Sequence, residues 1–314
     1  MKTLKNNFYQ GIMFHHFHDN KIFKKSQGSI NKNQFYKIIK IIGRKNILNA
    51  NDFYEKLKLK KLKNNQTCLT FDDGLKCQYS IALPLLEDLN IKAFFFINTS
   101  IYEGNYQMLE IFRYFRTNYF KSIDQFYEIF FNNLQKNILD KFFKKNEVLI
   151  KNKLNLFPFY SLNDVKFRFV RDHLLNQENY TLIMKKIFQQ KKFNVNSVKK
   201  LLYFSKNELK NLDKKGHIIG LHSHNHPTRI SDLSYGEQLK QYKQNQLVLS
   251  KILNKNTKDI KFMSHPCGDY NQNTLKILKQ LNIKLGFLHN LEKKGGNNFK
   301  IPRRNHANIV NNYF

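Results

Sequence analysis

The sequence is poor in the residues that build cross-linked or membrane-spanning proteins. Its 314 residues include three cysteines, five prolines and no tryptophan. Cys68, Cys77 and Cys267 are odd in number and show no CxxC spacing, which argues against a disulfide framework or a cysteine zinc site and indicates a reducing compartment. No segment approaches the roughly 18 uncharged apolar residues of a membrane span, and the N-terminus shows no apolar run of signal-peptide length. We therefore expect a cytoplasmic protein.

Acidic residues are also scarce, and the formal net charge is +31. Such a surface suits a polyanion, an anionic membrane leaflet or an anionic sugar carrier. The excess comes from Lys rather than Arg, however, and Lys shares A/T-rich codons with the abundant Asn, Ile and Phe, so genomic base bias also explains it. We expect no specific nucleic-acid partner. The hydrophobic content of 41% is that of an ordinary globular chain.

Strand and helix patterns alternate on both sides of a different middle section. A buried strand at Thr67–Phe71, an apolar helix at 81–90 and a strand at 92–98 form a βαβ unit. Further elements follow the middle section, namely helices at 206–215, 235–253 and 271–282 and strands at 217–222, 259–264 and 283–289. The middle section, about 105–200, is rich in Phe and Tyr at helical spacing, as at 123–139. This pattern predicts one α/β domain over 1–314, barrel-like and interrupted by a mostly helical insertion whose aromatic residues pack on one another.

Unusual polar residues follow three of the predicted strands. Asp72 and Asp73 stand on a turn that points them in different directions, so one can bind a cation while the other stays free. His222 and His226 follow a second strand, and Pro227 disfavours a helix there, so both imidazoles can bend toward one divalent ion. The third loop, 264–271, carries a Pro and a Gly that can aim a backbone N–H at a ligand. Such loops meet at the carboxyl edge of a parallel sheet.

These residues resemble a known family. Thr-Phe-Asp-Asp-Gly at 70–74, His-Ser-x-x-His-Pro at 222–227 and Pro-Cys-Gly-Asp-Tyr-Asn at 266–271 look like the first three motifs of the polysaccharide deacetylases, carbohydrate esterase family 4. Met-Phe-His-His-Phe at 13–17 is similar to an opening strand of bacterial members. The resemblance covers about 8–104 and 205–310. It implies a distorted (β/α)7 barrel that hydrolyses amides with a divalent metal.

The resemblance implies a role for each matching residue. Asp73, His222 and His226 would hold the ion, with Zn²⁺ the first expectation and Co²⁺, Ni²⁺, Mn²⁺ or Fe²⁺ as alternatives. The ion would polarise the acyl carbonyl and acidify a water, and Asp72 would take the proton of that water. The backbone N–H of Cys267, after Pro266, would stabilise the oxyanion.

The remaining assignments concern the proton donor and the walls of the site. The donor to the departing amine is expected to be His306 or His289, with His306 favoured by its order along the chain. His15 is expected to lie at the substrate.

Ser264 stands where many members carry an Arg that orients the base, and Arg303 or Arg304 can replace that Arg. The tryptophan of the acetyl pocket is absent, and a phenylalanine can take its place. His224 and His265 are expected beside the ligands or in solvent. Cys68 and Cys77 are expected to be a buried packing residue and an inert thiol.

The sequence thus predicts a metal-dependent hydrolase that removes an N-acetyl or similar acyl group from an amino sugar. Without an export signal, the expected substrate is an intracellular nucleotide-linked or lipid-linked precursor of a surface polysaccharide. The basic surface also suits peripheral contact with the anionic inner face of the membrane. Two alternatives stay open: a non-sugar amidase or cyclic-imide hydrolase on the same fold, and a basic polyanion-binding protein with a vestigial site.

Overall fold

The structure is a computed structural model that describes residues 11–156, 160–289 and 297–313. The chain divides into two compact units. The first comprises Met1–Phe23, Ser29–Gln107 and Lys200–Phe314, and the second comprises Lys24–Gly28 and Met108–Lys199.

A seven-stranded parallel sheet forms the centre of the first unit. Its strands are β1 (Gly11–Phe14), β2 (Cys68–Asp72), β3 (Phe94–Ile97), β4 (Ile218–Leu221), β5 (Phe262–Ser264), β6 (Leu285–Phe287) and β7 (Arg304–Asn305). They are ordered β6-β5-β4-β3-β2-β1-β7, and every pair is parallel. The strands are buried almost throughout, which explains why they read as short continuous apolar runs in the sequence. The opening strand ends at Phe14, earlier than the motif at 13–17 predicts.

The last strand segment brings the two ends of this strand order together. Ile301 forms a parallel bridge with Phe287 of β6, and β7 pairs with β1 a few residues later. Residues 301–305 thus contact both edges and curl the sheet. The prediction of a distorted (β/α)7-type barrel with a mostly helical insertion is confirmed.

Fourteen α-helices occur in the described part of the chain. They are α1 (Lys32–Ile42), α2 (Ala50–Lys58), α3 (Leu83–Asp88), α4 (Met108–Asn118), α5 (Ile123–Phe131), α6 (Lys136–Lys145), α7 (Glu147–Leu156), α8 (Leu162–Phe169), α9 (Gln177–Gln190), α10 (Val195–Leu202), α11 (Lys206–Lys214), α12 (Tyr235–Leu253), α13 (Gln272–Gln280) and α14 (His306–Tyr313). The long helix α12 has the predicted bounds, because a capping box of Ser234 and Glu237 starts it and a left-handed Asn254 ends it. The helical pattern at 123–139 forms two helices, α5 and α6.

The two faces of the sheet pack against different clusters. On β3, Phe94 and Phe96 belong to a cluster with Phe287 of β6, whereas Phe95 and Ile97 belong to the larger core on the other face. This follows from the alternation of side chains along a strand. The aromatic cluster therefore lies on the face enclosed by the barrel.

The second unit is helical and has a core of its own. Phe126, Phe130 and Tyr180 pack around the buried ring of Phe167, with ring centroids 4.8–6.2 Å apart. In this unit the aromatic residues pack on one another, as the sequence predicts. Among the described residues of the whole chain, no helix is long and apolar enough to cross a membrane.

Gly220 of β4 provides a test of the packing inside the barrel. A Cβ at this position would lie 2.6 Å from the carbonyl oxygen of Phe262 and 2.8 Å from the ring of Phe96. We expect Gly220→Ala to lower the free energy of unfolding by about 1–3 kcal/mol through overpacking. Gly236→Ala is the control, because a Cβ on Gly236 in α12 meets no atom within 4 Å. Denaturant unfolding measures both; an unchanged stability of Gly220→Ala would contradict the packing described here.

Candidate active site

Three side chains from two strand-end loops converge on one point. Asp73 follows β2, and His222 and His226 follow β4. Asp73 Oδ1 lies 3.3 Å from His222 Nε2 and 3.4 Å from His226 Nε2. One ligand atom from each of the three residues lies within 4.8 Å of the others. The structure therefore brings together the three residues that the sequence predicts as metal ligands.

These distances fit a shared divalent ion. Two ligand atoms that are each about 2.1 Å from an ion at a tetrahedral angle lie about 3.4 Å apart. The two Asp73–His separations, 3.3 and 3.4 Å, agree with this value. One carboxylate with two imidazoles is also a donor set suited to first-row divalent metals. The residues present therefore fit a metal centre.

Unusual backbone conformations aim these side chains. Asp73, Ser223 and His226 have left-handed φ angles of 74°, 60° and 50°. A non-glycine residue in this region costs free energy, and such residues cluster at functional sites. The left-handed turn at Asp73 also separates its direction from that of Asp72, as the sequence predicts for two adjacent acids.

The ring of His222 is fixed by the neighbouring strand. Its Nδ1 lies 2.9 Å from the carbonyl oxygen of Ser264 at the end of β5. A carbonyl can only accept, so Nδ1 carries a hydrogen, and Nε2 is the ring atom that faces Asp73. Burial lowers the pKa of His222, but the charges of Asp72 and Asp73 outweigh this effect and raise it above its usual value. Burial raises the pKa of Asp73. The hydrogen bond with His222 and the charges of the nearby histidines outweigh burial and hold this pKa well below its usual range.

Asp72 has a separate set of partners. Arg303 donates from Nη1 to Oδ1 at 2.8 Å and from Nη2 to Oδ2 at 2.7 Å. The hydroxyl of Ser264 donates to Oδ2 at 3.1 Å. Both carboxylate oxygens are thus engaged, which leaves Asp72 beside the three converging residues rather than among them.

Arg303 is buried and uses all of its donors. Its Nε donates to the carbonyl of Leu288, while its two terminal nitrogens donate to Thr70, Asp72 and Ser264. Its planar head lies 5.9 and 5.8 Å from the ring centroids of Phe96 and Phe287. One side chain therefore links the ends of β2, β5 and β6. Of the two arginines that the sequence offered for this role, Arg303 makes the contact, and Arg304 lies half-buried on β7.

The ion pair with Arg303 keeps Asp72 charged. Burial raises the pKa of this carboxyl group, but the charge and hydrogen bonds of Arg303 outweigh burial and hold the pKa at about 2. Asp72 is therefore ionised at neutral pH, as a general base must be.

The third loop forms a tight turn at Pro266–Gly268. Cys267 is exposed there, with a left-handed φ of 53°. Asp269 fixes the loop by accepting hydrogen bonds from the backbone N–H and the hydroxyl of Ser231, at 2.7 and 3.0 Å. A Cβ on Gly268 would lie 2.7 Å from the Cβ of His289. The predicted oxyanion turn is thus next to one of the two predicted proton donors.

The other histidines occupy distinct places. His306 is buried, with Nδ1 3.1 Å from the carbonyl oxygen of Met13 and its ring stacked on Phe14. His15 lies at the two acids, because its Nε2 is 3.9 Å from Asp72 Oδ2 and 3.8 Å from Asp73 Oδ2. Burial lowers the pKa of His15 to about 4, so its ring is neutral at neutral pH.

Two further histidines and two cysteines, to which the sequence assigns no role in the reaction, are buried. His224 contacts the hydroxyl of Thr99, and His265 contacts the carbonyl of Phe299, so neither is solvated. Cys68 and Cys77 are also buried.

The fold and the site define a parallel barrel with a candidate metal centre and, beside it, a second carboxylate bound by an arginine, all at the strand ends. A family model described as polysaccharide deacetylase matches residues 60–120 and 174–286, more than half of the chain. The chain belongs to the polysaccharide deacetylase family.

Solved structures show the same fold. A Streptococcus pyogenes deacetylase, PplD, in complex with acetate has a TM-score of 0.56 at 16% identity, with 96% of each chain covered. A de-N-acetylase from Aggregatibacter actinomycetemcomitans has a TM-score of 0.55 at 12% identity, covering 98% of this chain and 99% of that one. IcaB from Ammonifex degensii has a TM-score of 0.53 at 13% identity, covering 96% of this chain and 93% of that one. A comparison with curated protein sequences gives no match.

The Arg303–Asp72 pair predicts a large and specific loss of stability. Arg303→Met leaves a buried carboxylate without its partner, and we expect the free energy of unfolding to fall by about 3–5 kcal/mol at pH 7. Since the pKa of Asp72 is about 2 in the folded protein and about 3.9 in an unfolded chain, the stability that this ionised carboxylate gives the wild-type protein should be lost as the pH falls from about 4 toward 2. Arg304→Met is the matched control. Equal losses from the two variants would contradict the assignment.

Proposed function

We propose that this protein is a metal-dependent hydrolase that removes an N-acetyl or similar acyl group from an amino sugar. The observation that carries the proposal is that the adjacent acids Asp72 and Asp73 have different partners. Asp73 meets two imidazoles at ligand spacing, while Asp72 is held apart by Arg303. Family membership and the de-N-acetylase among the structural relatives agree with this chemistry.

Asp73, His222 and His226 would hold the ion, and Zn²⁺ is the first choice for this donor set. A divalent ion at this site supplies a Lewis acid that polarises a carbonyl oxygen and lowers the pKa of water. Residues of the chain would accept the proton and stabilise the negative charge. Asp72 takes the proton of the attacking water, and the backbone N–H of Cys267 donates to the carbonyl oxygen as it becomes negative.

The departing amine requires a proton. We propose that a histidine, either His306 or His289, supplies it. His306 is favoured by chain order, and His289 lies against the oxyanion turn. His15 is within 4 Å of both acids, but its ring is neutral at neutral pH, so its proposed place is at the substrate.

The proposed substrate is an acetamido sugar on an anionic nucleotide or lipid carrier, in the cytoplasm or at the inner membrane face. The net charge of +31 is compatible with such a carrier. We further propose that the first unit carries the reaction and that the second is an insertion into this single catalytic domain.

Acetate release tests the proposed reaction. The purified, Zn²⁺-loaded protein is supplied with a nucleotide-linked N-acetylhexosamine, a lipid-linked one, a neutral chitin oligomer and a simple acetanilide. A cyclic imide is tested in parallel, and its ring opening, which releases no acetate, is followed by loss of the imide absorbance. We expect release from a carrier-linked sugar and loss of release with a chelator. Turnover of only the acetanilide or the imide would instead support a non-sugar amidase, and metal binding without turnover of any substrate would contradict the proposal.

In the same assay, the two aspartates should fail in different ways. Asp72→Asn is expected to keep Zn²⁺ and to lose at least about 100-fold in kcat, because it removes the general base. Asp73→Asn is expected to lose Zn²⁺ itself, measured by metal content after dialysis. Loss of metal from Asp72→Asn, or full activity of either variant, would refute these roles.

The proton donor can be identified by the leaving group. His15→Gln, His289→Gln and His306→Gln are compared on an acetamido sugar and on 4-nitrophenyl acetate, whose leaving group needs no protonation. The variant that lacks the donor should lose about 100-fold or more on the amide and little on the ester. If all three keep their amide activity, the donor is none of them.

A further inference from the structure

Asn245 is a buried amide in the middle of α12, at the point where β3 and β4 separate. It has no exposed surface. The last paired residues of these strands are Ile97 and Leu221, and the next residue on β4 is the ligand His222. The backbone N–H of His222 also donates directly to the carbonyl of Ile97, at 3.2 Å, so the last bond between the two strands is made by the residue that must present its ring to the centre.

The side chain of Asn245 joins both strand ends. Its Oδ1 accepts from the backbone N–H of His222 at 2.9 Å, and its Nδ2 donates to the carbonyl of Ile97 at 2.9 Å. The two partners determine the orientation of the amide, because an N–H can only donate and a carbonyl can only accept. The amide thus braces the last backbone hydrogen bond between the two strands, because it contacts both the donor and the acceptor of that bond.

A second branch reaches the loop between the two histidine ligands. Asn245 Nδ2 also donates to the hydroxyl of Thr99 at 3.0 Å, and that hydroxyl lies 2.9 Å from His224 Nδ1. Since the hydroxyl accepts from Asn245, its own hydrogen is available to His224 Nδ1. The backbone N–H groups of Thr99 and Ser100 donate to the carbonyl of His224 as well.

We infer that Asn245 is a positioning residue for the metal centre: it holds the backbone of His222, and through Thr99 the loop that leads to His226. This inference rests on the proposed metal site. Side chains that orient metal ligands from behind typically change metal affinity 10–100-fold when they are removed. The backbone at Ser223 and His226 is left-handed and therefore strained, so it needs such an external hold.

The neighbouring residue provides a matched control. Gln246 is buried on the same helix and its Nε2 donates to two backbone carbonyls, those of Ile260 and Leu281, which belong to other loops. Gln246→Leu therefore removes a buried amide from α12 without touching the strand ends at Ile97 and His222.

The test measures metal binding in Asn245→Leu, Asn245→Ser and Gln246→Leu. Zn²⁺ affinity is obtained by competition with a chromophoric chelator, the visible spectrum of bound Co²⁺ reports the ligand geometry, and thermal unfolding of the metal-free proteins reports stability. We expect both Asn245 variants to bind Zn²⁺ about tenfold or more weakly than wild type, with an altered Co²⁺ spectrum. Gln246→Leu should stay within about twofold and keep the wild-type spectrum. Asn245→Ser is included because its smaller polar side chain leaves room for water if Asn245→Leu does not fold.

Other results would overturn the inference that Asn245 positions the metal centre. Wild-type affinity and spectrum in the Asn245 variants would overturn the inference, and so would equal weakening by Gln246→Leu, since that would show a general loss of stability. If the wild-type protein itself binds neither Zn²⁺ nor Co²⁺, the proposed metal centre fails first, and the inference fails with it.

Discussion

The buried pair of Arg303 and Asp72 is the interaction on which the site depends. Arg303 contacts the ends of three strands and both oxygens of one carboxylate, so it assigns different environments to two adjacent acids. Asp72 is ionised and occupied, and Asp73 is left to face the histidines. A buried ion pair adds little net stability, but breaking it is costly, so the pair is best understood as a device that fixes geometry. Ser264 completes it by contacting Asp72 and His222 together.

Much of this arrangement follows from the sequence, for a simple geometric reason. Parallel strands end at one edge, so polar residues that directly follow buried runs must meet there. This brings Asp73, His222 and His226 together although about 150 residues separate the first from the others. The same reasoning does not decide between Arg303 and Arg304, because successive strand residues point to opposite faces and the register of β7 is not visible in the sequence.

The sequence does not predict the contacts that support the site from neighbouring elements. Asn245 stands among Lys, Gln and Tyr in an amphipathic helix, and only its packing against the ends of β3 and β4 shows that it is buried. His15 comes close to both acids because β1 pairs with β2, a register set by long-range packing. The helices α1 and α2 lie in a part of the chain whose pattern gave no prediction. Contacts between distant segments decide these features, and local periodicity does not report them.

The most direct test of the account is an anomalous diffraction map from crystals soaked in Zn²⁺ and measured at the zinc absorption edge. The account predicts one strong peak about 2 Å from Asp73, His222 Nε2 and His226 Nε2, with the carboxylate of Asp72 outside the coordination sphere and still bonded to Arg303. A peak that includes Asp72 as a ligand, or no peak among these residues at saturating Zn²⁺, would contradict it.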